Sequence, residues 1–192
     1  MGCNDQLTDN ILRNCSYPPK RGLDGGKAVL INFDDIDWSA TVKSNSVISD
    51  LVLFAGKTGF KIESYKDLMS SNSAYAPSTE DIDGFLHNFV GRLSVNDKDN
   101  AERATELKNG RFVVVYESRY KGENNESAFK VLGAENGLRL SEMIQNTAEN
   151  SGSITFILST LENDYEQYVY NTFFETDYAT SKATYESLFA QV

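Results

Sequence analysis

With 192 residues and 40% hydrophobic content, the chain is long enough for one domain with a full core and short for two. Its 28 acidic residues against 18 basic ones leave a formal net charge of −10, which excludes a surface that wraps nucleic acid through a dense array of lysine and arginine. The 10 tyrosines and 11 phenylalanines suit sheets and subunit contacts, while the single histidine restricts general-base chemistry at neutral pH.

Residues 1–26 read as a polar N-terminal arm in which Pro18-Pro19, Lys20-Arg21 and Gly25-Gly26 break any periodicity. No apolar stretch precedes Cys3, so a lipoprotein or secretory signal is not expected, and Gln6 stands where a myristoylation signal needs Ser or Thr. Cys3 and Cys15 fit no zinc spacing, and no apolar run reaches the length of a membrane span. The expectation is a soluble protein made inside the cell, with reduced thiols. Without a signal, the sequons at Asn14 and Asn125 carry no weight.

Residues 27–192 then read as a single β-rich domain. Residues 27–33 form a first strand, Asp34-Asp35-Ile36-Asp37 a turn, and residues 38–43 and 50–55 two extended segments. A tight turn at 55–59 leads into residues 60–65, whose apolar/polar alternation predicts one buried and one solvated face. Residues 66–81, rich in serine with Asn72 and Pro77, read as a long polar loop, and loops of that length are functional or disordered. A strand over 85–95 precedes a helix over 96–109, with Ala101, Ala104 and Leu107 on one face and Gly110 as its stop. Residues 110–140 predict a long hairpin: the β-branched run Phe112-Val113-Val114-Val115-Tyr116, a wide polar loop, and a second run from Ala128 to Leu132 ending in Gly133-Ala134-Glu135-Asn136-Gly137. Strands follow near 138–145 and 154–161, and the aromatic stretch 165–174 reads as extended. Asp177 can cap a final helix with Tyr178, Tyr185 and Phe189 along one stripe. Eight to ten strands without β-α-β alternation predict a mainly β fold: an antiparallel β-sandwich or barrel with one flanking internal helix and a C-terminal helix.

Motifs that would carry chemistry fail on inspection. Gly56-Lys57-Thr58 follows an apolar run, but Leu51 sits where a phosphate-binding loop needs its first glycine, and a strand follows in place of a helix. Asp81-Ile82-Asp83-Gly84 echoes a calcium loop, yet Thr79 replaces the first ligand and Val90 the bidentate glutamate; Asp34, Asp35 and Asp37 read as a solvated turn. His87 alternates with Phe85 and Phe89, which predicts a packed or rim histidine, and no nucleophile elbow accompanies it. Carboxylate pairs able to hydrolyse glycosides stay open at this level. No catalytic residue, metal ligand or cofactor is assigned.

Lys27-Ala28-Val29-Leu30-Ile31-Asn32-Phe33-Asp34-Asp35-Ile36-Asp37, Gly110-Arg111-Phe112-Val113-Val114-Val115, Phe129-Lys130-Val131-Leu132-Gly133-Ala134-Glu135-Asn136-Gly137-Leu138 and Thr176-Asp177-Tyr178-Ala179-Thr180 resemble tail tube proteins, the major tail proteins of phages and prophages of Bacteroides-like bacteria. The resemblance runs over residues 27–184. It implies a β-sandwich or barrel flanked by a helix, with copies closing a ring, typically a hexamer, and rings stacking into the tube through which the genome is ejected. The partners it implies are further copies of the chain, other tail or neck proteins, and DNA passing non-specifically through the lumen, in a virion assembled in the bacterial host cytoplasm. The acidic balance predicts a net-negative lumen that does not hold phosphate. Met69, Asn72, Tyr75 and Pro77 in the 66–81 loop, with Lys121, Glu123 and Asn124 in the hairpin loop, are the expected inter-ring or inter-subunit contacts. A neck, tail terminator or capsid decoration protein is the alternative, ahead of a β-sandwich binding module or small hydrolase.

Overall fold

The computed structural model describes residues 7, 9–65, 67–78, 83–149, 152–162 and 164–189. Among these, eleven strands form: β1 (Leu23–Asn32), β2 (Val42–Ser44), β3 (Val47–Asp50), β4 (Phe60–Glu63), β5 (Ser70–Ala76), β6 (Gly84–Leu93), β7 (Phe112–Ser118), β8 (Phe129–Leu132), β9 (Arg139–Gln145), β10 (Ile154–Ser159) and β11 (Asn171–Phe173). Two helices accompany them, α1 (Lys98–Glu106) and α2 (Tyr178–Ser187). A seven-stranded sheet runs β2-β3-β11-β8-β7-β1-β4 and a four-stranded sheet runs β5-β6-β10-β9. Every neighbouring pair is antiparallel except β3 with β11. The fold is a mainly β open sandwich, so the barrel alternative falls.

The unbroken apolar run of β7 has a direct cause: both faces of its sheet are covered. Val29, Ile31, Val113, Val115, Phe129 and Val131 point to one side, where Tyr185 and Leu188 at the C-terminal helix, Phe173, Ile48 and Leu51 close a first core. Phe129 is its centre, with ring centroids 5.1 Å from Tyr185 and 5.9 Å from Tyr178. Ala28, Leu30, Phe112, Val114, Tyr116 and Leu132 point to the other side, against Met69, Phe89, Phe156 and Leu158 of the four-stranded region. The result is three layers: helix, large sheet, small sheet.

The C-terminal helix begins where Asp177 predicts, and the internal helix occupies Lys98–Glu106 within the expected 96–109. Asp97 accepts a hydrogen bond from the Asn100 N–H at 2.8 Å, and Asp177 accepts one from the Thr180 N–H at 2.8 Å. On α1 only Ala104 is buried, Ala101 is exposed, and Leu107 just beyond packs on the inter-sheet core. Gly110 ends the helical stretch with an ordinary extended backbone; a Cβ there would lie 1.9 Å from Phe112 Cζ, so packing and not a left-handed turn requires the glycine.

Several expected boundaries move. β1 starts at Leu23 rather than Lys27, because Gly25 (φ 66°) and Gly26 (φ 61°) allow a bulge against β7 that prolongs the strand into the arm. The segment 38–43 opens as a turn, with Trp38 Nε1 donating to the Phe33 carbonyl at 3.3 Å, and the strand pair lies later, in the β2–β3 hairpin turning at Asn45 (φ 51°). β4 lacks the predicted buried face: Phe60 is 49% exposed and Ile62 only half-buried, since β4 is an edge strand. The stretch 165–174 is extended only at β11. The described part of the 66–81 loop contains seven residues of strand, β5, in full register with β6 from Ser70↔Val90 to Ala76↔Gly84.

Gly91 is required by its cross-strand neighbour: it pairs with Phe156 of β10, whose ring lies over it, and a Cβ there would sit 2.1 Å from Phe156 Cζ. Gly91→Ala should lower unfolding free energy by about 1–3 kcal/mol in urea titrations through overpacking. Combining it with Phe156→Leu should recover part of that loss, a non-additivity expected only of residues in contact.

Candidate functional site

Three faces of the two sheets are covered, and among the described residues nothing packs over the outer face of the four-stranded sheet. On it, Leu86, Asn88, Val90 and Arg92 of β6 alternate with the buried His87 and Phe89, and Thr155, Ile157 and Ser159 of β10 alternate with the buried Phe156 and Leu158. None of the aliphatic residues here belongs to either core, and Ile144 on β9 is 49% exposed. Asn72, Asn88, Ser159 and Ser141 make a polar row from one edge of the sheet to the other. Ser159 Oγ donates to Asn88 Oδ1 at 2.5 Å, and Ser141 Oγ lies 2.9 Å from Ser159 Oγ.

Among the described residues no further strand pairs with either edge of this sheet, although residues 107–109 lie beside β9, and β5 is the unusual edge. It reads Ser70-Ser71-Asn72-Ser73-Ala74-Tyr75-Ala76, seven residues with no charge and no proline, which are the devices that keep edge strands apart. β9, at the other edge, is also seven residues long and carries Arg139 and Glu142.

Of the expected contact residues, Asn72, Tyr75 and Pro77 are exposed on or next to β5, with Tyr75 60% exposed and its hydroxyl donating to Asp83. Met69 is a correction: it is 2% exposed and packs between the sheets, so it cannot touch another subunit. Glu123 and Asn124 are exposed at the tip of the β7–β8 loop, where Asn124 takes φ 52°. Lys121 on the same loop is already engaged: its Nζ lies 2.5 Å from Glu117 and 2.8 Å from Asp24. Glu117, 3% exposed, also binds Lys182 and accepts from the Tyr178 hydroxyl at 2.6 Å. Burial opposes charge on both Lys121 and Glu117, but these partners prevail, holding the lysine above and the carboxyl below their ordinary pKa values. Lys121 therefore staples α2 and the loop to β7.

The corner that joins the two sheets was only half visible from sequence. His87 is fully buried; its Nε2–H donates to the Tyr168 carbonyl at 2.8 Å, and its Nδ1 accepts from the Gly133 N–H at 3.2 Å. Burial pushes its pKa down and keeps the ring neutral, so it is the packed histidine that the alternation predicts. Glu166, which no sequence signal singled out, is 1% exposed and accepts from the N–H groups of Glu135 at 3.0 Å and Asn136 at 2.9 Å. Burial, with Glu135 beside it, outweighs these two donors and raises its pKa to about 7. Lys130 is a second buried group missed from sequence; its ammonium sits 3.9 Å from the Tyr170 ring centroid, and burial lowers its pKa to about 8.

The remaining motifs resolve into structure. Gly59 N–H and Thr58 Oγ1 both donate to the Leu188 carbonyl, at 2.6 and 3.0 Å, so the glycine-rich turn receives the C-terminal end of a helix and not a phosphate. Asp34 pairs with Arg111, Asp35 with Lys57, and Asp37 accepts from Ser39 and Ala40 within its own turn. Asp83 closes the β5–β6 connection by accepting from Ser78 N–H at 2.9 Å, while Thr79, Asp81 and Ile82 of the calcium-like pattern lie outside the described residues. Among the described residues no group of three or more His, Cys, Asp or Glu gathers as a metal site, and no helix is long and apolar enough to cross a membrane. No family model matches the chain, and neither curated proteins nor solved structures provide a match.

The Glu166 shift has a pH signature. A carboxyl raised from 4.5 to about 7 in the fold favours the folded state while protonated, and that contribution is lost as pH rises from the unfolded value through about 7. His87, held neutral, acts oppositely below its ordinary value of 6.5. Comparing wild type with Glu166→Gln cancels the histidine: in urea titrations, wild type should gain up to about 3 kcal/mol relative to the variant between pH 8 and pH 5.

Proposed function

We propose that the chain is a structural virion protein, the self-assembling ring subunit of a phage tail tube that conducts DNA. The observation that carries this reading is the four-stranded sheet with an uncovered face, two seven-residue edges that no described strand pairs, and no charge on β5. Its three internal pairings are all antiparallel, so β5 and β9 run in opposite directions. Rotating a copy about an axis along the strands brings the β5 of one subunit beside the β9 of the next, antiparallel and with the same face inward. Each subunit then adds four strands to one closed sheet, and closure removes the edges.

The row Asn72–Asn88–Ser159–Ser141 runs from edge to edge, so under this arrangement it continues from subunit to subunit. The uncovered face carries Arg92, Arg139 and Glu142 as its charged residues among the described positions. With that face inward, the lumen is nearly neutral and rich in hydroxyl and amide groups, in place of the net-negative lining that composition alone suggests. DNA passes it because no run of cations holds phosphate. The resemblance to tail tube proteins points the same way, and a single internal helix, α1, is compatible with the flanking helix of that resemblance.

Light scattering and negative-stain microscopy of the pure protein test the reading. Wild type should form rings and stacked rings as concentration rises, whereas single rings that never stack would indicate a neck or terminator part. Asn72→Lys combined with Ala74→Lys places two cations on exposed positions of β5. This variant should keep the wild-type circular dichroism and lose assembly by about tenfold or more, as lysines on natural edge strands do. Assembly equal to wild type would overturn edge pairing through β5.

A further inference from the structure

We infer that the groove between α1 and β4 is the docking site for the N-terminal arm of a second copy of this chain, an inference that rests on self-assembly as proposed above. The groove has a volume of about 520 Å³, with Leu30, Ile62, Leu93, Leu107 and Phe112 in its lining. This is within the range of about 300–1,000 Å³ common to sites that take a ligand or an anchoring side-chain cluster. Phe60 at its mouth is 49% exposed. One wall is β4, the terminal strand of the seven-stranded sheet, whose free side offers backbone donors and acceptors to an added extended segment.

The arm supplies what such a groove lacks. Leu7, Ile11 and Leu12 are 78%, 86% and 81% exposed, the most exposed large apolar side chains among the described residues. Three of them within six positions on one segment mark a surface that is buried elsewhere. The arm's charge also fits a second copy. Before β1 the arm carries Arg13, Lys20 and Arg21 against Asp5 and Asp9, one positive charge in excess on a chain of net −10, while α1 presents Asp99, Glu102 and Glu106 against Lys98 and Arg103.

Direction decides between a chain's own groove and a neighbour's. In the seven-stranded sheet β1 lies between β7 and β4. Ser16, Tyr17, Pro18 and Lys20 lie beside Arg119–Gly122, the segment that follows β7. The arm therefore meets the sheet where β1 begins and β7 ends, at the opposite end of these strands from its own groove, which is lined by Leu30 near the end of β1 and Phe112 at the start of β7.

The test uses the full-length chain with Cys3→Ser, Cys15→Ser, Ile11→Cys and Lys61→Cys, prepared with ¹⁴N and with ¹⁵N and mixed in equal amounts. After oxidation under assembly conditions, mass spectrometry of the peptide linked between positions 11 and 61 separates the cases. A link that pairs ¹⁴N with ¹⁵N peptides is the expected result. A link only within one isotope would show the arm in its own groove and overturn the inference. No link on protein that visibly forms rings would overturn the docking and leave the ring reading intact; a mixed link without rings would support the docking and remove the ring reading. As a second readout, Ile11→Asp with Leu12→Asp should slow assembly by about tenfold, since an anchor cluster carries most of a docking interaction. Circular dichroism should stay unchanged because both residues are exposed; wild-type assembly kinetics would overturn the inference.

Discussion

The central strands of the seven-stranded sheet are apolar on both faces, and that constraint organises everything else. Val113, Val115 and Val131 on one side and Val114, Tyr116 and Leu132 on the other must all be kept from water. A sheet of this kind needs two covers. The C-terminal helix and the 33–51 segments supply one, and the four-stranded sheet supplies the other. The covering sheet spends its own apolar face in doing so, and among the described residues nothing packs over its back and no further strand pairs with its edges. An isolated subunit thus satisfies its core and leaves one sheet unfinished, which is why assembly through that sheet is the reading with the firmest physical basis.

Charge is distributed in keeping with this division. The two buried carboxylates are structural: Glu117 ties α2 and the β7–β8 loop to the large sheet, and Glu166 holds the 133–137 turn that carries the chain from one sheet to the other. His87, on the small sheet, grips the start of that same turn through Gly133. These contacts fix how the four-stranded sheet sits on the larger one, and hence which way its open face looks. The uncovered face has few charges, so the formal charge of −10 falls mainly outside it.

Much of the fold was legible because local signals and burial agree. The runs at 27–33 and 112–116 announce central strands, Asp177 announces a helix start, and alternation around His87 announces a packed ring. β5 was not legible, since serine, asparagine and alanine have little strand propensity, and what makes this segment a strand is pairing along β6 with Met69 anchored in the core. The same low propensity made Met69 look like a loop residue. Glu166 stayed hidden because its partners are backbone N–H groups about 30 positions away in sequence. Lys121 looked free because its partners lie on three different elements, which no spacing in the sequence encodes.

The central claim is that β5 of one copy joins β9 of the next, and hydrogen–deuterium exchange compares the two states at those strands directly. Backbone amides over Ser70–Ala76 and Arg139–Gln145 that face away from β6 and β10 are unpaired in the monomer and should exchange fast at low concentration. In the assembled protein the same amides should become protected together, on both strands and by a similar factor. Protection that appears elsewhere while both edges continue to exchange as in the monomer would contradict the account.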